Sequence, residues 1–266
     1  MRQRFFNEFL YQVFSLIIAV IIVHSVYVTS IRPRATEIIA EQNIAIQEDV
    51  GYTPERSIWV LIRDFEQEAC FILMFWAFAI MSYKAYVALN ERTLLQRDLL
   101  NVREGVRILP EDTREYGRSL QSLSERMRQM LLPRVLTTAL ERFGSTRNVQ
   151  DVASAANSLC ESESEKLESE LAMIRYIAWA IPSIGFIGTV RGIGAALGEA
   201  HRAVEGDIAG VTENLGIAFN STFVALMISI VVMFLVHQLQ LLQERLVFDT
   251  QTYVDHNLIR HMESRD

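Results

Sequence analysis

Thr189, in the apolar stretch Ile177 to Leu197, and Asn220, Ser221 and Thr222, in the apolar stretch Asn214 to Val236, place hydroxyl and amide groups where the rest of the sequence is hydrocarbon. Such groups donate and accept hydrogen bonds and can solvate a passing ion, but they do not titrate in the useful range. No carboxylate lies between Ile177 and Leu197 or between Asn214 and His237. A proton relay through a membrane usually rests on Asp, Glu or His. These residues therefore suit the wall of an ion pathway whose acid is brought by another protein. The plain alternative is that the hydroxyls pack between helices and bond a carbonyl four residues back, and spacing alone favours it. Other chemistry finds little footing. The chain has no phosphate loop, no G-x-S-x-G and no H-E-x-x-H, so no enzyme is expected. Cys70 and Cys160 make no disulfide or zinc framework, and His256 and His261 are spaced off a common helix face. No metal and no cofactor is expected.

Both stretches are long enough to position these groups in a bilayer, since about 20 helical residues cover a ~30 Å hydrocarbon core. Each carries a stripe of small residues on one face: Gly185, Thr189, Gly192 and Ala196 in the first, Ala218, Thr222, Ala225 and Ser229 in the second. Small faces let backbones approach closely, which drives helix association where lipid removes the hydrophobic effect. Gly188 belongs to the same close-packing set. For antiparallel helices, Thr189 lies about 3 Å past the middle of its span and Thr222 about 4 Å before the middle of its own, so both sit at similar depth. Pro182 removes a backbone hydrogen bond and either kinks its helix or acts as a hinge. For Arg191, inside the same span, snorkelling outward ranks first, pairing with a neighbouring subunit's acid second, and repelling cations third.

The whole chain has 266 residues, half of them hydrophobic, and a net charge of −7, which describes a membrane protein and argues against a nucleic-acid partner. The fold class expected is all-α and integral to the membrane: four transmembrane helices with a helical cytoplasmic region. The spans are Phe9 to Val28, Ala69 to Leu89 and the central pair. The first is read as a span, not a cleaved leader, because its apolar run is long and no small-x-small site follows Tyr27. The organisation is 1–90, an outer hairpin with an extracytoplasmic loop; 91–171, a cytoplasmic helical region; 172–243, the core pair; and 244–266, a cytoplasmic tail. Arginines flanking the spans place both termini in the cytoplasm.

Within the hairpin, His24 is read as interfacial, and Pro33 as the start of an amphipathic helix that Gly51 ends. Thr53-Pro54-Glu55 then caps a helix carrying Ile58, Trp59, Ile62 and Phe65 on one face. The second span packs peripherally and Lys84 snorkels to its cytoplasmic end. In the soluble region, Leu95, Leu99, Val102 and Val106 mark one helix, and Leu120, Leu123, Met127 and Met130 a second that Pro133 stops. Val149, Val152, Ala156 and Leu159 start a third, continued by the acidic run Glu161 to Glu170, which reads as a solvated face or a docking surface.

The segment Pro182 to Leu197, PSIGFIGTVRGIGAAL, resembles the MotA/TolQ/ExbB proton-channel family, whose penultimate membrane helix carries a proline followed by G-x-x-G-T-V-x-G. Pro182, Gly185, Gly188, Thr189, Val190 and Gly192 match it. LGIAFNSTFVAL resembles the family's last membrane helix, with Thr222 at its pore-lining hydroxyl position. Two departures stand out: Ile217 at the family's acidic position, and Arg191 where tryptophan is common. The resemblance implies a ring of identical subunits, a pentamer, in a bacterial inner membrane. The ring would surround a dimer of a single-span partner that brings a membrane aspartate, with Thr189 and Thr222 lining the ion's path. It implies a motor driven by protons, or alternatively by sodium. A non-conducting scaffold and a self-sufficient channel are the rival functions.

Overall fold

The computed structural model describes residues 2–48, 57–102 and 106–263. Gly51 and the expected cap Thr53-Pro54-Glu55 lie outside them. Among the described residues the chain is helical, with no strand and a single isolated bridge between Ile108 and Met262. Four helices are long and apolar enough to cross a membrane, so the protein is an all-α, multi-pass membrane protein. The chain divides into two compact units, Met1–Ser82 with Met173–Val236, and Tyr83–Ala172 with His237–Asp266.

In the first unit, α1 (Arg2–Val26) does not stop at the polar edge around His24, as its composition suggests. It passes through a π-helical turn, Tyr27–Ile31, straight into α2 (Arg32–Glu48). The reason is Pro33: without an N–H it cannot bond the carbonyl four residues back, and a widened turn, in which the Arg32 N–H bonds the Tyr27 carbonyl, absorbs the mismatch. Val23, Tyr27 and Ile31 of this run bury themselves against Trp59, Ile62, Phe71 and Ile72. The expected helix through Ile58 and Phe65 is only one turn, α3 (Ile58–Leu61), before α4 (Phe65–Arg92) begins. Trp59 and Ile62 face inward, whereas Ile58 and Phe65 are exposed, so that face is split. The Trp76 indole N–H donates to the Gln12 carbonyl at 2.9 Å and the Tyr11 hydroxyl to that of Ala79 at 3.0 Å, tying α4 to α1.

The second unit corrects three sequence expectations. Leu95 to Val102, expected to lie on a helix with Val106, is no α-helix. A single 3-10 turn, Thr93–Gln96, gives way to a turn in which the Asp98 carboxylate accepts from the Leu100 and Asn101 N–H groups, with Asn101 left-handed at φ 50°. Asp and Asn offer the backbone this local alternative to a helix, and Leu94 and Leu100 still reach the core. Nor does Pro133 stop a helix. After α5 (Thr113–Gln121) and α6 (Glu125–Arg128), it sits in the first turn of α7 (Leu131–Thr146), where its missing N–H would have no intrahelical partner anyway. Lys84 does not snorkel: its side chain is 5% exposed and its Nζ donates to Glu170 at 2.9 Å.

The expected third helix is present as α8 (Val149–Glu170), capped by the Asn148 side chain, which accepts from the Gln150 N–H. Its Val152, Ala156 and Cys160 pack on Leu136, Leu140 and Phe143 of α7 and on Val254 and Leu258 of the C-terminal segment, which is helical and belongs to the core. The acidic run is partly internal, because Glu163 binds Arg134 at 2.9 Å and Lys166 at 2.6 Å. Burial pushes the Glu163 carboxyl up, but hydrogen bonds from Lys166 and Arg134 outweigh it and hold the group below its ordinary range. A depressed carboxyl stabilises the fold above its unfolded pKa, and that contribution disappears as pH falls through the folded value. Glu163→Gln should therefore lower the unfolding temperature at pH 7, and the gap to the natural protein should close on acidification below about pH 4.

Candidate functional site

The site grows from a seam between α9 (Ala172–Gly198) and the part of α11 (Ala209–Asn257) up to Val236. The connection between them holds a short helix, α10 (Ala200–Val204), and a left-handed Gly206 at φ 97°. Three glycines of α9 set the approach. A Cβ placed on Gly192 would lie 2.8 Å from the Ala218 Cβ and from the Asn214 carbonyl oxygen. One on Gly188 would lie 2.5 Å from the Ser221 Cβ and 3.1 Å from the Glu66 Cγ, and one on Gly185 would collide with Ala225. The two small stripes thus meet face to face, with Ala218 and Ala225 fully buried.

At the centre of this contact the two threonines come together. The Thr189 hydroxyl donates to the Ala218 carbonyl and the Thr222 hydroxyl to the Gly185 carbonyl, each at 3.1 Å, and the two Oγ1 atoms touch. The arrangement is reciprocal, since each hydroxyl reaches the carbonyl four residues before the other threonine. Two hydroxyl protons face these links, so when both go to carbonyls none remains between the oxygens. The rest of the seam is similarly satisfied. Pro182 leaves the Ala178 carbonyl without its helical N–H, and the Ser229 hydroxyl donates to it at 3.3 Å. Pro182 is in this way built into the packing of both helices.

The other sequence candidates separate. Ser221, 1% exposed, donates to the Ile217 carbonyl at 2.8 Å and faces Gln67 and Gly188 instead of the threonine pair. Asn220 is half-buried and lies about 200° around the helix from Thr222, away from the pair.

Sequence reading missed the polar groups that α4 brings to this seam. Arg191 finds an acid within its own chain: its guanidinium donates to both Glu66 carboxylate oxygens, at 2.6 and 2.8 Å. Glu68 is held by Arg32 and by His24 Nδ1, the latter at 2.7 Å. Gln67, 0% exposed, donates to the Leu61 carbonyl at 3.2 Å and approaches the Ser221 hydroxyl at 3.5 Å. The signal available was the charged first turn of α4 beside an arginine stranded in an apolar span. Among the described residues no group of His, Cys, Asp and Glu could hold a metal ion.

Fold and seam define a multi-pass helical membrane protein whose polar groups are concentrated between two close-packed spans. The sequence model of the MotA/TolQ/ExbB proton channel family matches residues 127–252, from the end of α6 into the C-terminal part of α11, and over those residues the chain is similar to that family. Both threonines and all three seam glycines fall inside the match. Nothing among curated proteins and nothing among solved structures matches the chain.

Close approach at Gly188 is directly testable. Gly188→Ala should destabilise the purified full chain by about 1–3 kcal/mol, because the new methyl must displace Ser221 on a neighbouring helix. Adding Ser221→Gly should recover part of the loss, read as an upward shift of the unfolding temperature relative to the single variant.

Proposed function

We propose that the protein is the ring subunit of a proton-driven motor of the bacterial inner membrane. Five copies would surround a dimer of a single-span partner carrying a membrane aspartate, and ion flow past that aspartate would move the partner against the ring. The observation that carries this reading is the reciprocal Thr189–Thr222 pair, set in two spans without a carboxylate and inside the segment matched to a proton-channel family. A wall of hydroxyls that can turn between carbonyl and neighbour suits a charge brought from elsewhere. An arriving hydronium or protonated carboxylate would donate a hydrogen bond to a threonine oxygen, and a deprotonated carboxylate would accept one from a hydroxyl turned away from its carbonyl, with no proton leaving the threonines. Ser221 and Asn220 belong to the same pathway wall in this reading, Ser221 through its neighbours on α4.

Large apolar side chains on the outward faces of both helices, among them Phe186, Ile187, Val190, Phe219 and Phe223, are exposed in the single chain. They offer area for lipid and for neighbouring copies. The arginine distribution supports cytoplasmic termini, and protons are preferred to sodium because the seam has no broken helix with free carbonyls. In the division of labour proposed, 1–90 forms the outer hairpin, 91–171 and 244–266 the cytoplasmic part, and 172–243 the pathway.

Thr189→Val and Thr222→Val keep the side-chain volume and remove the hydroxyl. Each variant should still co-purify as an oligomer with the single-span partner. Ion-driven activity should fall by at least about tenfold, since a lost polar partner in a dry pathway costs roughly 1–3 kcal/mol. Variants that assemble and drive work at the natural rate would reduce the threonines to packing residues. Ion conduction by the chain alone, reconstituted without a partner, would favour a self-sufficient channel.

A further inference from the structure

We propose that Asp64, backed by the buried amide of Gln67 and the hydroxyl of Ser221, is a proton-binding site at the outer mouth of the threonine seam. It would be a titratable group supplied by this chain itself, in addition to any acid brought by a partner. The proposal rests on the pathway reading given above.

Asp64 immediately precedes α4, with Gln67 one turn further on, so the pair has the spacing of a helix capping box. In a capping box the aspartate oxygen and the glutamine oxygen would each accept a backbone N–H. Neither does so here. Asp64 Oδ2 and Gln67 Oε1 are both buried with no hydrogen-bond partner among the described residues, as is the Tyr27 hydroxyl of the adjoining π-helical turn. Gln67 is wholly buried and its Nε2 spans the gap between the Leu61 carbonyl and Ser221, the residue beside Thr222. Orphaned buried acceptors are costly, and a group kept in that condition next to a functional seam is suited to taking up a proton.

Among the described residues, charged groups of several elements face Asp64. Arg63 approaches Oδ1 at 3.5 Å and also binds Glu213 of α11 at 3.1 Å. Arg191 of α9 and Glu66 of α4 face it, the two bonded to each other, and Tyr27 closes the side of the first helix. Burial of the 14%-exposed side chain lifts the Asp64 carboxyl above its ordinary range, against the lowering effect of Arg63 and Arg191. The group thus accepts a proton at a higher pH than an exposed aspartate. Uptake converts the carboxylate to the neutral acid and release restores it, with no other bond made or broken. Arg191 holds both oxygens of Glu66 and the Glu213 side chain is exposed, whereas Asp64 keeps a buried oxygen for the proton.

Two measurements on the full chain test this. The first needs no partner: thermal unfolding of the purified protein between about pH 4 and 8, with Asp64→Asn and Asp64→Ser alongside. A raised carboxyl penalises the ionised folded state, so its stabilising contribution is present at low pH and lost as pH rises through the folded value. Asp64→Asn should therefore gain on the natural protein as pH rises. If instead it is less stable throughout and Asp64→Ser, a good cap that does not titrate, restores the natural curve, Asp64 is a helix cap and the proposal fails. The second is proton flux in vesicles holding the chain with its single-span partner. Asp64→Asn and Asp64→Ser should each cut flux by at least about tenfold, while Asp64→Glu keeps most of it. Natural flux in Asp64→Asn, beside lost flux in Thr222→Val, overturns the mouth site and leaves the pathway intact. Natural flux in Thr222→Val overturns the pathway reading and this one with it.

Discussion

The absence of a Cβ at Gly185, Gly188 and Gly192 is the constraint on which the membrane unit depends. In lipid there is no hydrophobic gain from bringing two apolar helices together, so contact must come from dispersion and polar links at short range. Three glycines on one face of α9 bring its backbone onto Ala218, Ser221 and Ala225 of α11. At that separation a threonine hydroxyl on one helix reaches a main-chain carbonyl of the other. With larger residues along this face the reciprocal Thr189–Thr222 exchange would be out of reach, and the spans would be held only by side-chain packing.

Close approach also solves the problem of satisfying polar groups away from water. Pro182 costs α9 a hydrogen bond, and the hydroxyl of Ser229 on the opposite helix takes up the carbonyl it frees. Arg191 and Glu66 would each be expensive alone in or near hydrocarbon, and they neutralise one another through two parallel bonds. The same logic governs Lys84, whose ammonium is buried against Glu170 within the second unit. At both Arg191 and Lys84 a partner from another helix accompanies the charge. Asp64 and Gln67 depart from that pattern, each with a buried oxygen that no group among the described residues takes up.

The second unit has an apolar core of its own. Its core forms where α7 and α8 lay Leu136, Leu140, Phe143, Val152 and Ala156 together, and the C-terminal part of α11 closes it with Val254 and Leu258. Left-handed Arg147 and the Asn148 cap turn the chain between the two helices in two residues. The acids of α8 divide between exposed positions and pairs such as Glu163 with Arg134.

Hydropathy alone determined the four spans, and residue volume at helical spacing determined the seam: the small stripes and the shared depth of Thr189 and Thr222 are local, periodic properties of the sequence. Periodicity failed where local chemistry competed with it. Asp98 and Asn101 broke an apolar pattern that reads as a helix, and Pro133 marked a beginning where it reads as an end. Only the tertiary structure decided the partners of the isolated charges. Arg191 and Glu66 are 125 residues apart, and Lys84 and Glu170 are 86 apart. An ion pair is fixed by distance through space, which carries no period along the chain, whereas the faces of helices are fixed by a turn of 3.6 residues, which does.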